Sequence, residues 1–341
     1  MVYEITDENE IKLLHFSNLP FDENDINSCE GTASFRPVEV LLSGLNRPGE
    51  RHGTKYTYTA PGYRLKYKDM KDYRNETGRK LEILMEDKPT GLEVCSNIQF
   101  YDGISVIRSW TELKNNGEED LGVEYVSSFA LLGIDKEGLL STDEKLEVLI
   151  ARNAWQKELI WNRFSMDQLG MSISQPDKVR RSSQTISVGN TGNWSTKNYL
   201  PMGCLKNKET DSILFWQIEQ NGSWYWEISD QDGHMYLQLS GPTEHQSHWW
   251  KNLKPGDTFA SVPVSVGSAC GDVEEAAGEL TKYRRAIRRK NEDNEKLPVI
   301  FNDYMNCLWG DPTTEKELPL IDKAKEAGCE YFCVDLSLIH I

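Results

Sequence analysis

Asn302-Asp303-Tyr304 and Asp335 are the residues whose types and placement can do chemistry on a hydroxylated ligand. Each sits where a short apolar run turns abruptly polar: Pro298-Val-Ile-Phe before Asn302, and Tyr331-Phe-Cys-Val before Asp335. A carboxylate so placed can accept two sugar hydroxyl protons as charge-assisted hydrogen bonds. A tyrosine can lay its ring face against the C–H face of a sugar. The same residues have plainer uses. Asp335 can cap a helix in the following loop, Asn302 and Asp303 can hold the loop after the first run, and Tyr304 can be a core aromatic. Pattern alone leaves both readings open.

The elements that must position these groups follow from the flanking pattern. The two apolar runs read as short buried strands, apolar on both faces. Between them lie a polar loop, Trp309-Gly-Asp-Pro312, and a helical stretch with Leu318, Ile321, Ala324 and Gly328 on one face. Gly328 stands where a helix takes its left-handed stop. Strand, helix and strand make one βαβ unit, with parallel strands and a right-handed crossover. In a β/α barrel the chemistry sits at the carboxyl ends of the strands, where Asn302, Asp303, Tyr304 and Asp335 fall.

Upstream the chain is of a different kind. Short runs of β-formers recur at 38–42, 55–59, 81–85, 92–94, 105–113, 123–129, 184–188, 212–219, 223–228, 235–239 and 259–266, with no helices between them. That frequency predicts a large β-sandwich. Asn115-Asn-Gly117 is a turn signal that predicts a hairpin between 105–113 and 123–129. A helix is expected over 272–290, opened by a capping box of Asp272 and Glu275. Its apolar stripe is Val273, Ala276, Leu280, Tyr283 and Ile287, and Arg284, Arg285, Arg288, Arg289 and Lys290 crowd the end that favours cations. Residues 291–296 read as a polar linker. The expected organisation is 1–271 sandwich, 272–296 connecting helix and linker, and 297–341 the start of a barrel.

Composition narrows the function class. A net charge of −16 argues against nucleic acid, whose phosphates such a surface repels. The basic run at 282–290 is accounted for by the helix end. No window approaches the eighteen apolar residues of a membrane span, and the amino terminus lacks the apolar core of a secretion signal. Seven cysteines without tight pairing suit reduced thiols, so the expected location is the cytoplasm.

Other motifs have plainer readings. Trp224 and Trp226 share one face of an alternating strand, which suits a sandwich core better than a sugar platform. Trp249-Trp250 invites the same lectin-like thought. His245 and His248 have a metal-like separation, but no further ligands complete a sphere, so no metal site is expected. Cys329 and Cys333 read as one face of a packed strand. The glycines of 189–194 precede no helix pattern and form a loop, not a phosphate cradle.

Val299-Ile-Phe-Asn-Asp-Tyr304, a helix, and then Ala327-Gly-Cys-Glu-Tyr-Phe-Cys-Val-Asp335 resemble the first two barrel strands of glycoside hydrolase family 36. The family reads Asn-Asn-Trp at the first strand, where this chain has Asn302-Asp303-Tyr304. Asp335 matches the first aspartate at the second strand. The resemblance extends upstream through 103–117, through 212–224 and through Leu253-Lys-Pro-Gly-Asp-Thr-Phe259. Pro61-Gly-Tyr-Arg-Leu65 is only a partial counterpart of a family loop that reaches a neighbouring subunit's sugar site.

This resemblance implies a multidomain β and α/β protein: a large amino-terminal β-sandwich (supersandwich), a linking helix, and the first βαβ unit of a truncated (β/α)8 barrel. It implies a retaining α-galactosidase whose nucleophile and acid come from later barrel strands, so no catalytic residue is expected in this chain. Asp335, Tyr304, Asp303 and Asn302 are then expected to bind substrate. The implied partner is an α-galactoside oligosaccharide, with no metal or organic cofactor and with homo-oligomers for the full-length enzyme. An α-N-acetylgalactosaminidase, a galactosyl transferase of the same family, and a stand-alone carbohydrate-binding sandwich are the alternatives. Residues 336–341 depart from the motif, and the expectation is that the natural protein continues as a full barrel.

Overall fold

Alternation along the strands decides which face meets the core. In Gly78–Asp87, Leu81, Ile83 and Met85 are buried, while Lys80, Glu82 and Glu86 are partly exposed. Repeated over many strands, that pattern builds two antiparallel sheets in the first of two units, Met1–Ala286 and Ile287–Ile341. The computed structural model describes residues 1–22, 35–45, 55–171, 184–231 and 233–335.

Among these residues the larger sheet has ten strands. It runs Lys157–Ser165, Leu146–Ala154, Tyr199–Asn207, Ser212–Ile218, Val264–Cys270, Val106–Asn115, Leu92–Phe100, Gly78–Asp87 and Lys66–Asn75, with Thr258–Ala260 also on Val106–Asn115. The smaller has six: Ile186–Asn190, Trp224–Gln231, His234–Ser240, Leu121–Leu132 and Lys251–Leu253, with Val40–Leu42 also on Leu121–Leu132. Trp216 of the larger sheet meets Trp226 of the smaller edge-to-face at 5.1 Å, at the centre of a continuous apolar core. Trp224 is buried in the same core, so the tryptophans of this strand are packing residues.

The turn at Asn115-Asn-Gly117 does not close a hairpin. Val106–Asn115 has both edges occupied, by Leu92–Phe100 on one side and by Val264–Cys270 with Thr258–Ala260 on the other. The chain therefore crosses to the other sheet. Asn115 anchors the crossing: its side-chain amide donates to the carbonyls of Glu119 (2.8 Å) and Leu253 (2.9 Å). Ser109 and Thr111 then donate across the sandwich to the carbonyls of Ser128 and Ser127, both at 2.7 Å.

The expected strand at 55–59 is also absent. This stretch lies on the outer face of the smaller sheet and leads into a short helix, Ala60–Arg64, capped by Thr59. Its backbone donors go to carboxylates instead of a ladder. Tyr56 N–H bonds Glu227 (3.0 Å), while Tyr58 and Thr59 N–H bond Glu39 (3.0 and 2.9 Å). Tyr58 has φ 55°, which a strand does not allow. The expected strand at 259–266 is broken at 261–263 into Thr258–Ala260 and Val264–Cys270.

Val273–Ile287 is the expected helix, shorter at its end than the basic run. Ala276, Leu280 and Tyr283 are buried against Tyr101, Val106 and Phe215, which ties the helix to the sandwich. Glu275 accepts the Asp272 N–H (2.8 Å), as a capping box requires, whereas the Asp272 carboxylate binds Arg163 and the Val273 N–H.

In the second unit the polar linker contains a short helix, Glu292–Lys296, capped by Asn291. Ile300–Asn302 and Tyr331–Cys333 pair in parallel, with Ile300, Phe301 and Asn302 opposite Tyr331, Phe332 and Cys333. Thr314–Glu326 is the helix between them, and Gly328 takes φ 87° after it. These strands are not buried as expected: Ile300 is 59% and Tyr331 56% exposed. A two-stranded sheet with one crossover helix cannot cover both faces. Cys329 precedes the strand, so it does not share a strand face with Cys333.

Candidate functional site

The parallel register places Asn302 and Cys333 side by side, and the chain beyond each then converges. Asn302 donates from Nδ2 to Asp335 Oδ2 at 3.0 Å and accepts the Tyr304 N–H at 2.9 Å. Asp303 lies deeper, at 1% exposure. Its Oδ1 accepts the Asp335 N–H at 2.8 Å, and its own N–H donates to the Cys333 carbonyl at 3.2 Å. All four expected site residues thus join one hydrogen-bonded cluster, Tyr304 through its backbone N–H. Asp303 and Asn302 hold Asp335 in place, and Asp335 keeps a partly exposed carboxylate at the strand end.

Tyr304 opens a single π-helical turn, Tyr304–Leu308, and its ring stands 5.7 Å from that of Trp309. Trp309 is well exposed and sits at φ 50°, followed by Gly310 at φ 81°. The aromatic surface at Tyr304 therefore includes a residue that reads in the sequence only as part of a polar loop. Residues 336–341, which decide whether Asp335 also caps a helix, lie outside the described residues.

Glu317, in the first turn of Thr314–Glu326, is a second residue that sequence reading passes over. Neither of its carboxyl oxygens meets a hydrogen-bond donor, and it faces Asp303. Burial first, and then the neighbouring Asp303 carboxylate, raise its pKa above the ordinary carboxyl value. Glu317 reads in sequence as one of several acids in a helical first turn, and nothing there points it at Asp303.

In the first unit Arg64 is fully engaged. Its guanidinium forks onto Asp87 at 2.8 and 2.7 Å, and Asp87 is buried and also accepts from Thr90 at 2.7 Å. His245 lies against Tyr56 and Glu244. Among the described residues no group of three His, Cys, Asp or Glu is arranged to hold a metal ion.

A double-sheeted sandwich followed by a helix and a parallel βαβ unit, with carboxylates gathered at the strand ends, is the frame on which relatives can be compared. No family model matches the chain. α-Galactosidase Mel36A of Lactobacillus acidophilus is 22% identical over 269 residues, 76% of this chain and 33% of that protein. GH36 α-galactosidase AgaA A355E of Geobacillus stearothermophilus, in complex with 1-deoxygalactonojirimycin, superposes with a TM-score of 0.75 at 15% identity. GH36 α-galactosidase AgaB from the same organism gives 0.73 at 16%. These structures match 98% of this chain and 48% and 47% of their own. The chain therefore has the fold of part of the GH36 α-galactosidases and resembles their amino-terminal portion. It spans a third of the curated relative and about half of each solved structure.

Proposed function

We propose that residues 1–341 are the amino-terminal portion of a retaining α-galactosidase. In this reading the sandwich and connecting helix precede a catalytic (β/α)8 barrel, whose first βαβ unit is Ile300–Cys333. The observation that carries it is the cluster of Asn302, Asp303 and Asp335 at the carboxyl ends of two parallel strands. Barrel chemistry is built at that end.

Asp335 accepts hydroxyl protons of the terminal galactose. Asn302 and Asp303 act through it as positioning residues, and Tyr304 with Trp309 offers ring surface to the sugar's C–H face. In a retaining glycosidase one carboxylate attacks the anomeric carbon while a second carboxyl group, about 5 Å away, protonates the leaving oxygen. Both come from later barrel strands, so residues 1–341 contribute binding and not bond cleavage. Two solved relatives are complexes with raffinose and with stachyose, which supports oligosaccharides of this class as substrates. Location and assembly rest on the sequence and the resemblance: cytoplasm, and a homo-oligomer of the longer enzyme.

The test is an aryl α-galactoside assay on residues 1–341 and on a chain extended through the later strands. The extended chain turns over and 1–341 does not. Asp335→Asn in the extended chain lowers kcat/KM about ten- to a hundredfold, the worth of one hydrogen bond to a charged group. A folded Asp335→Asn enzyme with unchanged kcat/KM would make Asp335 a structural cap.

A further inference from the structure

The helix Val273–Ala286 and the strands it crosses leave an open groove of about 520 Å³ on the sandwich. That volume is within the range of small-molecule sites. One wall is apolar: Trp161, Leu200, Pro201 and Met202, with Leu280 from the helix. Trp161 is half-buried and is backed by the core around Leu149, Phe215 and Tyr283, so its ring is held rigidly. The other wall is polar and preorganised. Gln217 Oε1 accepts from both Nε (3.0 Å) and Nη2 of Arg284, which fixes the amide and turns its NH2 into a donor with no partner among the described residues. Glu158 adds an acceptor, one of its oxygens being held by the Gln156 N–H at 2.9 Å.

Asn153 lines the groove and is tied to the neighbouring loop through the carbonyls of Asn198 (3.0 Å) and Thr196 (2.6 Å). Trp155, two residues further on (74% exposed), and Trp194 of the tied loop are exposed and do not line the groove.

We propose that this groove of the first unit binds a neutral oligosaccharide. A pyranose has an apolar C–H face and a rim of hydroxyls that both donate and accept, which matches an indole wall opposite an amide, a guanidinium and a carboxylate. The charge of the lining selects the class. One carboxylate and one guanidinium cancel, so neither an anionic nor a cationic ligand gains from the groove as a neutral polyol does. A galactosyl oligosaccharide is the specific choice, and that choice alone rests on the α-galactosidase reading.

The experiment is a raffinose titration of the 341-residue chain, followed by tryptophan fluorescence and by ¹⁵N–¹H spectra. A shallow site of this size binds with Kd on the order of 1 mM. Shifts should concentrate at the Trp161 indole and at the Gln217 side-chain amide. Arg284→Ala, on an exposed helix surface, should weaken binding about tenfold or more with thermal unfolding unchanged. Maltotriose binding as tightly as raffinose would keep the groove as a saccharide site and remove the galactosyl preference. Absence of any shift at about 20 mM of either sugar, or binding that Arg284→Ala leaves intact, overturns the proposal. Turnover by the extended chain is a separate readout, so loss of the groove and loss of the α-galactosidase reading are distinguishable.

Discussion

Glu227 offers the sharpest test of how the sandwich is held together. It is fully buried on the outer face of the smaller sheet and accepts three hydrogen bonds: Tyr56 N–H at 3.0 Å, Tyr225 OH at 2.8 Å and Tyr236 OH at 2.8 Å. Burial, the largest cause, raises its pKa, and those three donors pull it back. Glu227→Ala strands three buried donors, each costing about 1–3 kcal/mol if no new partner is found. Partial relaxation and water entry make a total of about 3–5 kcal/mol the expected loss. Glu227→Gln keeps an acceptor for Tyr56 and Tyr236 and gives Tyr225 a donor, so about 1–2 kcal/mol is expected. Urea unfolding of the three proteins at neutral pH measures both. The Tyr56–Tyr125 stack, with centroids 3.8 Å apart, should loosen in the alanine variant and sharpen the effect in near-ultraviolet dichroism. A loss below about 1 kcal/mol for Glu227→Ala, or equal losses for both variants, would refute the view that this carboxylate anchors the 55–65 segment.

Two further predictions concern other buried carboxylates of the sandwich, Glu39 and Asp87. Burial pushes the Glu39 carboxyl up to about 7 against the pull of Thr59, Tyr58 and Arg36. The folded state then holds its proton more tightly than the unfolded state. The associated stability is full below pH 4.5 and is lost as pH rises through about 7, by roughly 3 kcal/mol in all. Glu39→Gln should lower stability overall but flatten its fall between about pH 5 and 8; an unchanged slope in chemical denaturation would contradict this. Arg64→Ala leaves the buried Asp87 carboxylate with only Thr90, and should cost roughly 2–3 kcal/mol, discounted because Arg64 is itself a third exposed. Differential scanning calorimetry reads that loss, and an unchanged Tm would mean Arg64 is free for another role.

Period-two patterning was enough to announce the sandwich, because burial on alternate residues is written directly into stretches such as Leu81, Ile83 and Met85. It could not say which strands pair. Asn115-Asn-Gly117 is a sound turn, but only the occupied edges of Val106–Asn115 show that the turn changes sheets. The 55–59 run has the composition of a strand, and two buried carboxylates distant in sequence, Glu39 and Glu227, capture its backbone instead. At the strand ends a polar residue after an apolar run is a local signal, and Asn302, Asp303 and Asp335 meet there through hydrogen bonds. Glu317 and Trp309 were illegible for the opposite reason: their neighbours are set by the crossover and by a left-handed backbone turn.

The central claim is that the chain fronts a retaining α-galactosidase, and stereochemistry reaches it most directly. Let a chain extended through the later barrel strands act on an aryl α-galactoside, and follow the anomeric protons by ¹H NMR from the first minutes. The account predicts that α-galactose appears first and that the β anomer grows in only as mutarotation proceeds, with residues 1–341 alone releasing neither. Initial release of β-galactose, or a folded extended chain that leaves α-galactosides untouched, would contradict it.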